Sequence, residues 1–369
     1  MPELPEVETI ARKLRSALVG QTITEVDVLW ARTVDRPDVA SFREELVGAR
    51  IDQVRRRGKF LVLELSTERS LLVHLRMSGS FALVETGEEV EEDKHTRITL
   101  TLENGSRLLY VDPRKFGRFY LVKDEEEVLR DLGPEPLGPD FSSNELRERL
   151  SGRRGEIKRL LLDQRFIAGL GNIYASEILW HARVHPQRIA GSLSERESRR
   201  LYEAIVCVLH QGIEHGGTSL DDRQYVYPDG GLGEHQEHLK VYDRADDACP
   251  RCGYTLTRIV QGQRSTYYCP LCQPCEPEKG TRAKSSNVGS LSAKGDVKME
   301  TTTLKIDGMS CQMCVKHVTQ ALQNVQGVTE VEVNLESGTA VVTYDPGSVD
   351  MSDFEEAVAE AGYKVMGPA

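Results

Sequence analysis

The stretch from Pro277 to Met299 constrains this chain more than any single motif, because it is rich in Ser, Gly and Lys and carries no apolar period. Such a segment buries little surface and reads as a flexible linker, so the residues before and after it must each build a core of their own. A chain of 369 residues leaves room for two or three domains, and 28% charged with 39% hydrophobic residues is ordinary for globular protein. No apolar run approaches the roughly 18 residues of a membrane span, and the N-terminus lacks a basic-then-apolar signal pattern. The expectation is a cytoplasmic monomer with no membrane partner.

Charge is the awkward property. The formal net charge is −11, and ten Asp and Glu against three Lys between residues 301 and 369 place −7 of it in the last module, leaving −4 for the first 300 residues. A mildly acidic body still binds a polyanion if its basic residues gather on one face. Arg55-Arg56-Arg57-Gly58-Lys59, Arg114-Lys115 and Arg153-Arg154 are such concentrations.

The chain begins Met1-Pro2-Glu3-Leu4-Pro5-Glu6. Removing Met1 would leave Pro2 as a secondary amine, and an α-amino group titrates near neutrality, so it is partly free to attack an electrophilic carbon. Glu3 beside it and Glu6 one helical turn on could serve proton transfers. Val7, Ile10, Leu14 and Leu18 recur at helical spacing and predict a helix ending before Gly20. Seven short β-rich runs follow, at 23–29, 49–54, 60–65, 70–75, 97–102, 107–111 and 118–122, which predict an antiparallel β-sandwich. From about Glu125 the pattern turns helical, notably at 144–150, 157–162, 173–181 and 194–210.

Met-Pro-Glu-Leu-Pro-Glu-Val-Glu resembles the start of formamidopyrimidine-DNA glycosylases, which excise oxidised purines and then cut the strand. The resemblance makes Pro2 the nucleophile, Glu3 a proton donor and Lys59 the second basic group near the lesion. Working on a base inside a duplex requires extruding it and filling the gap, and the resemblance gives that wedge to Met77 and Phe116, with Arg114 meeting the orphaned base. Lys115 stands where many relatives carry Arg. The run Ile167-Ala-Gly-Leu-Gly-Asn172-Ile-Tyr-Ala-Ser-Glu177, with Lys158 upstream, resembles the helix-two-turns-helix element of the same superfamily. It implies that Lys158 and Asn172 meet the DNA backbone. Asn172, before an apolar run, reads as a helix N-cap. The Gly-rich segment 216–240 corresponds to a loop covering the flipped base.

Cys249-x-x-Cys252 and Cys269-x-x-Cys272, 16 residues apart, predict a structural zinc ribbon, since four thiolates leave no open position for water. Arg264 lies in the hairpin between the pairs, where the resemblance places an arginine on phosphate. Here the chain departs from the family: Tyr242-Asp243-Arg244-Ala245-Asp246-Asp247-Ala248 lacks the usual glycines and adds acids. Cys275 leaves an alternative ligand or a reactive thiol.

Beyond the linker, a strand, helix, strand, strand, helix, strand order predicts a ferredoxin-like βαββαβ sandwich. Gly308-Met-Ser-Cys311-Gln-Met-Cys314 puts two thiols on a loop running into a helix, which suits soft Cu(I). The module resembles heavy-metal-associated domains of copper chaperones and transport ATPases, implying a copper-transfer partner.

The expected division is therefore multidomain: a catalytic β-sandwich with a flanking helix at 1–124, a helix-two-turns-helix DNA-binding domain at 125–240, a zinc hairpin at 241–275, a linker at 276–300 and a heavy-metal-associated domain at 301–369. The expected activity is a glycosylase and lyase for oxidised purines on damaged double-stranded DNA, ending in β- and δ-elimination. An endonuclease VIII-like enzyme for oxidised pyrimidines, and a non-catalytic damage sensor or metal carrier, are the alternatives.

Overall fold

In the computed structural model, residues 2–88, 93–219, 225–275, 300–309, 312–325, 327–361 and 363–368 are described. Two compact units result, Met1–Glu276 and Pro277–Ala369, and the predicted linker, apart from Glu300, lies outside the described residues.

The first unit opens with helix α1 (Leu4–Leu18). Val7, Ile10, Ala11, Leu14 and Leu18 are buried in the core of the β-sandwich, while Leu4 belongs to the helical core with Leu170 and Tyr174. One helix thus reaches both cores, and its first turn lies at their junction. Burying each large aliphatic side chain contributes about 1.5–3 kcal/mol, so the N-terminal end of the chain is held by packing far in excess of its own contacts.

The strands are β1 (Ile23–Val28), β2 (Val34–Arg36), β3 (Ile51–Arg57), β4 (Phe60–Leu65), β5 (Arg69–His74), β6 (Ser80–Val84), β7 (Thr96–Leu102), β8 (Arg107–Val111) and β9 (Arg118–Val122), with helix α2 (Val39–Leu46) between β2 and β3. They form two sheets, ordered β1-β7-β8-β6 and β2-β9-β5-β4-β3. The seven predicted runs correspond to seven of these strands. β2 and β6 were not foreseen, and neither was α2: Asp38 caps α2 by accepting the amides of Ala40 and Ser41. One pair, β2 with β9, is parallel, so the sandwich is not wholly antiparallel.

The helical part contains α3 (Glu126–Leu129), α4 (Ser143–Leu150), α5 (Ile157–Leu161), α6 (Asn172–His181) and α7 (Glu195–Glu214). A two-stranded hairpin, β10 (Thr257–Gln261) with β11 (Arg264–Tyr268), follows. α6 is apolar nearly all round because it is buried on every side, from Ile173 to Trp180.

The second unit has β12 (Glu300–Asp307), α8 (Gln312–Gln323), β13 (Val328–Asn334), β14 (Thr339–Tyr344), α9 (Met351–Glu360) and β15 (Lys364–Pro368), with sheet order β13-β14-β12-β15. This is the expected βαββαβ sandwich, closed around Leu304, Val318, Leu322, Val342, Phe354 and Val358.

Candidate active site and DNA interface

Pro2 and Glu3 are both buried ahead of α1. The Glu3 carboxylate is turned onto a different helix. It accepts the amides of Gly171 at 2.7 Å, Ile173 at 3.0 Å and Tyr174 at 3.3 Å, which are free because α6 begins there. Helix N-termini leave such donors unsatisfied and favour an anion. The reading of Asn172 as the N-cap is therefore corrected: Gly171 occupies the cap position, Asn172 is the first helical residue, and the anion that satisfies the turn comes from residue 3. Glycine is required at 171, since a Cβ there would lie 2.2 Å from Glu3 Cδ.

Glu6 reaches back to accept the Glu3 amide at 2.7 Å. Its other oxygen accepts the Tyr174 hydroxyl and the Thr218 amide, both at 2.8 Å. Burial pushes the Glu6 carboxyl up, and the nearby Glu3 charge adds to this, against the pull of its three donors. Lys59 is 5% exposed, and burial lowers its pKa while Glu3 and Glu6 oppose the shift and Arg264 reinforces it. Glu6 and Lys59 thus have displaced affinities for protons beside the Glu3 carboxylate and Pro2, an arrangement chemically able to pass protons.

Lys158 is buried, and its ammonium donates to Asn172 Oδ1 at 2.9 Å, the Ser265 carbonyl at 3.0 Å and Thr266 Oγ1 at 2.8 Å. Burial brings its pKa down to about 7; Glu3 opposes this and Arg264 adds to it. All three protons are engaged, so a phosphate reaching Lys158 would have to replace one of these acceptors. Asn172 Nδ2 also donates to the Ser265 carbonyl. Lys158 and Asn172 are thereby locked to β11, whose first residue, Arg264, is exposed.

The basic run at 55–57 does not serve as a free cationic face. Arg55 is paired with Glu64 and Glu125, Arg56 with Glu8 and Glu135, and Arg57 with Glu135. Strand pairing of β3 with β4 and the return of the chain through Glu125 and Glu135 bring acids against it, which spacing in the sequence did not reveal. By contrast Arg114, Met77 and Phe116 are exposed on two loops, at 37% for Met77 and 48% for Phe116. The Lys115 ammonium lies over the Trp30 ring at 3.7 Å.

The sulfurs of Cys249, Cys252, Cys269 and Cys272 lie within 4.8 Å of one another, with Cys249–Cys272 at 4.0 Å and Cys252–Cys269 at 3.5 Å. A zinc tetrahedron with bonds of about 2.3 Å has edges of about 3.8 Å, so the four thiols fit that ion. Cys275 is exposed and outside the group. Trp180 Nε1 donates to Cys249 Sγ at 3.5 Å, and Arg251 stacks on the Trp180 ring at 3.9 Å. The knuckle is thus seated on the far end of α6.

Three contributors escaped the sequence reading. Tyr174 and Thr218 hold Glu6, as described. Glu177 on α6 accepts the amides of Lys240, Val241 and Tyr242 at 2.8–2.9 Å, fixing the entry to the hairpin. A glutamate inside an apolar helix was the available signal, since a buried carboxylate must find donors. Part of the predicted lesion loop, 220–224, and Cys311 of the predicted copper pair lie outside the described residues. Cys314, at the start of α8, is 4% exposed.

Family models match in four places: the formamidopyrimidine-DNA glycosylase N-terminal domain over residues 1–119, its H2TH domain over 132–224, a zinc finger found in FPG and IleRS over 247–274, and a heavy-metal-associated domain over 303–364. The formamidopyrimidine-DNA glycosylase of Herpetosiphon aurantiacus is 46% identical over 277 residues, 74% of this chain and 100% of that protein. Among solved structures, the Lactococcus lactis Fpg in complex with DNA containing an abasic site is 35% identical with a TM-score of 0.68, covering 74% of this chain and 99% of that one. MutM in complex with DNA containing carbocyclic 8-oxo-G is 36% identical with a TM-score of 0.68, covering 74% and 100%.

Proposed function

The chain belongs to the formamidopyrimidine-DNA glycosylase family and carries a heavy-metal-associated domain in addition, and from that premise we propose that it excises oxidised purines from duplex DNA and cleaves the resulting abasic strand. The observation that carries the reading is the docking of Glu3, next to Pro2, on three amides at the start of α6, with Glu6 and Lys59 buried around it. With Met1 removed, the Pro2 nitrogen attacks C1′ of the damaged nucleotide as the C1′–base bond breaks and the base leaves with a proton; the C1′–O4′ bond then opens, O4′ takes a proton, and the nitrogen lone pair closes the iminium. β- and then δ-elimination from that iminium cut the strand, with Glu3 and Glu6 moving protons. Met77 and Phe116 fill the vacated stack, Arg114 meets the orphaned base, and Arg264, Lys158 and Asn172 hold the backbone at the lesion. Residues 1–124 thus supply the chemistry, 125–240 and 241–275 grip the strand, and one structural zinc on the four cysteines keeps the hairpin in place.

Borohydride trapping on duplex DNA containing 8-oxoguanine opposite cytosine tests this, comparing the intact chain with Pro2→Gly and Glu3→Gln. A covalent adduct that needs both residues is expected. Preference for an oxidised pyrimidine would move the chain to endonuclease VIII-like activity, and no adduct on either substrate would leave a non-catalytic DNA binder or metal carrier.

For the second unit we propose a Cu(I) site on Cys311 and Cys314 that hands copper to a partner protein. Its tether to the repair enzyme suggests that copper load modulates excision, since redox-active copper generates oxidised bases. Identical excision with and without Cu(I), and after Cys311→Ala with Cys314→Ala, would refute that coupling.

A further inference from the structure

Asp112 is 1% exposed and sits between the two loops that carry the wedge side chains. Four donors converge on it. Oδ1 accepts the Ser78 hydroxyl at 2.6 Å and the Arg114 amide at 3.1 Å; Oδ2 accepts the Gly117 amide at 2.8 Å and the Tyr110 hydroxyl at 3.4 Å. Ser78 follows Met77 on one loop, and Arg114 and Gly117 bracket Phe116 on the other. The backbone of Asp112 is itself fixed: its amide donates to the His95 carbonyl at 2.9 Å, and its carbonyl accepts Arg97 Nε at 2.9 Å.

The Tyr110 hydroxyl fills the space between the same loops. A Cβ at Gly79 would lie 2.2 Å from that oxygen and one at Gly117 only 1.6 Å away. The residues before each wedge, Arg76 and Lys115, adopt left-handed backbone angles, with φ of 59° and 61°. A non-glycine residue holds such angles only where its surroundings over-determine them.

We propose that Asp112 is a positioning residue for base displacement, tying the Met77 loop to the Arg114–Phe116 loop so that both wedges are presented as one rigid body. The inference rests on the wedge role assigned above to Met77 and Phe116. Driving a side chain into a base stack costs a few kcal/mol of unstacking, and a loop that yields under that load transmits none of it. Charge-assisted hydrogen bonds from both loops to one buried carboxylate make them yield together or not at all. Asparagine at 112 preserves shape and one acceptor but turns an NH2 group toward the Gly117 amide or the Ser78 hydroxyl.

The test uses the full chain carrying Asp112→Asn, Ser78→Ala, Met77→Ala or Phe116→Ala. Three readouts are followed: single-turnover excision of 8-oxoguanine from a duplex, the fluorescence rise of 2-aminopurine next to the lesion, and cleavage of an abasic site in a single strand, where no stack has to be displaced. Asp112→Asn should slow duplex excision and the fluorescence rise by about tenfold or more, the equivalent of one lost charged hydrogen bond, and leave single-strand cleavage within about twofold, a change inside the spread of a neutral substitution. Ser78→Ala, which cuts one tie of the four, should slow both duplex readouts less, so the inference stays open to refutation if Asp112→Asn fails to fold. Equal losses on duplex and single strand, or no loss on the duplex, would overturn the proposal. If Met77→Ala and Phe116→Ala leave the duplex readouts untouched, the wedge reading itself falls; if they slow them and Asp112→Asn and Ser78→Ala do not, only the inference falls.

Discussion

The cluster around Pro2 and the two loops proposed to carry the wedges are built in opposite ways. Around Pro2 the charged side chains themselves are buried, and three of them are held by donors or acceptors from distant segments: Glu3 by α6, Glu6 by Tyr174 and Thr218, Lys158 by Asn172 and β11. On the proposed wedge loops the Met77 and Phe116 side chains are left in solvent, and it is the backbone beneath them that is fixed, through Asp112. Proton transfer needs groups taken out of water so that their affinities shift. Displacing a base needs apolar side chains that are free to enter the stack. A substitution of a buried charged residue in the first region should therefore damage stability and activity together, and one of the exposed side chains of the second, Met77 or Phe116, activity alone.

Glu3→Gln should show the largest effect. Excision should fall by about 10²–10⁴, the usual contribution of a positioned acid or base. The amide would also turn an NH2 group on a main-chain donor, costing about 1–3 kcal/mol of stability. Urea unfolding alongside trapping would measure both, and an unchanged unfolding midpoint would break the comparison.

Trp180→Phe keeps the ring against Arg251 but removes the N–H that reaches Cys249 Sγ. Zinc affinity should drop by about 10–100-fold in chelator competition, as for other groups that orient metal ligands.

His235 is 3% exposed and stacks on Tyr174 with ring centroids 5.5 Å apart. Burial first, then His215, His238, His181 and Lys240, depress its pKa to about 3. The unfolded chain takes up a proton below pH about 6.5 that the folded one refuses until about pH 3, so stability falls as pH drops through that window. Between pH 7 and pH 5 this amounts to about 2 kcal/mol. His235→Phe should remove that part of the loss. The two tryptophans, Trp30 and Trp180, both lie in the first unit and report its unfolding by fluorescence.

Phe116→Ala should move stability least, by no more than about 0.5 kcal/mol, as for exposed positions generally, while slowing duplex excision. A clear loss of stability would show that Phe116 supports the fold and would erase the contrast.

Much of the fold was legible because apolar period and turn residues are local. The α1 stripe, seven strands, each Cys-x-x-Cys pair and each element of the second unit appear in windows of about 20 residues or fewer. The failures were just as physical. β2 has three residues and no alternation, so nothing marks it except its partner β9. The 55–57 arginines looked like a DNA face because their acids, Glu125 and Glu135, arrive from about 70–80 residues away. Asn172 has the chemistry of a cap, and only the proximity of Glu3 displaces it.

The sequence by itself determined which chemistry is present: an amine-bearing N-terminus with two carboxylates, four thiols spaced for zinc, two exposed-loop motifs with one apolar residue each, and a separate small module. These depend on residue identity and spacing, which the chain carries covalently. The tertiary structure alone decided which groups are held charged, engaged or free. That rests on burial and on donors supplied across separations such as the 168 positions from Glu3 to Gly171 and the 212 from Glu6 to Thr218. A carboxylate's neighbours in space set its proton affinity, and only folding brings them to it.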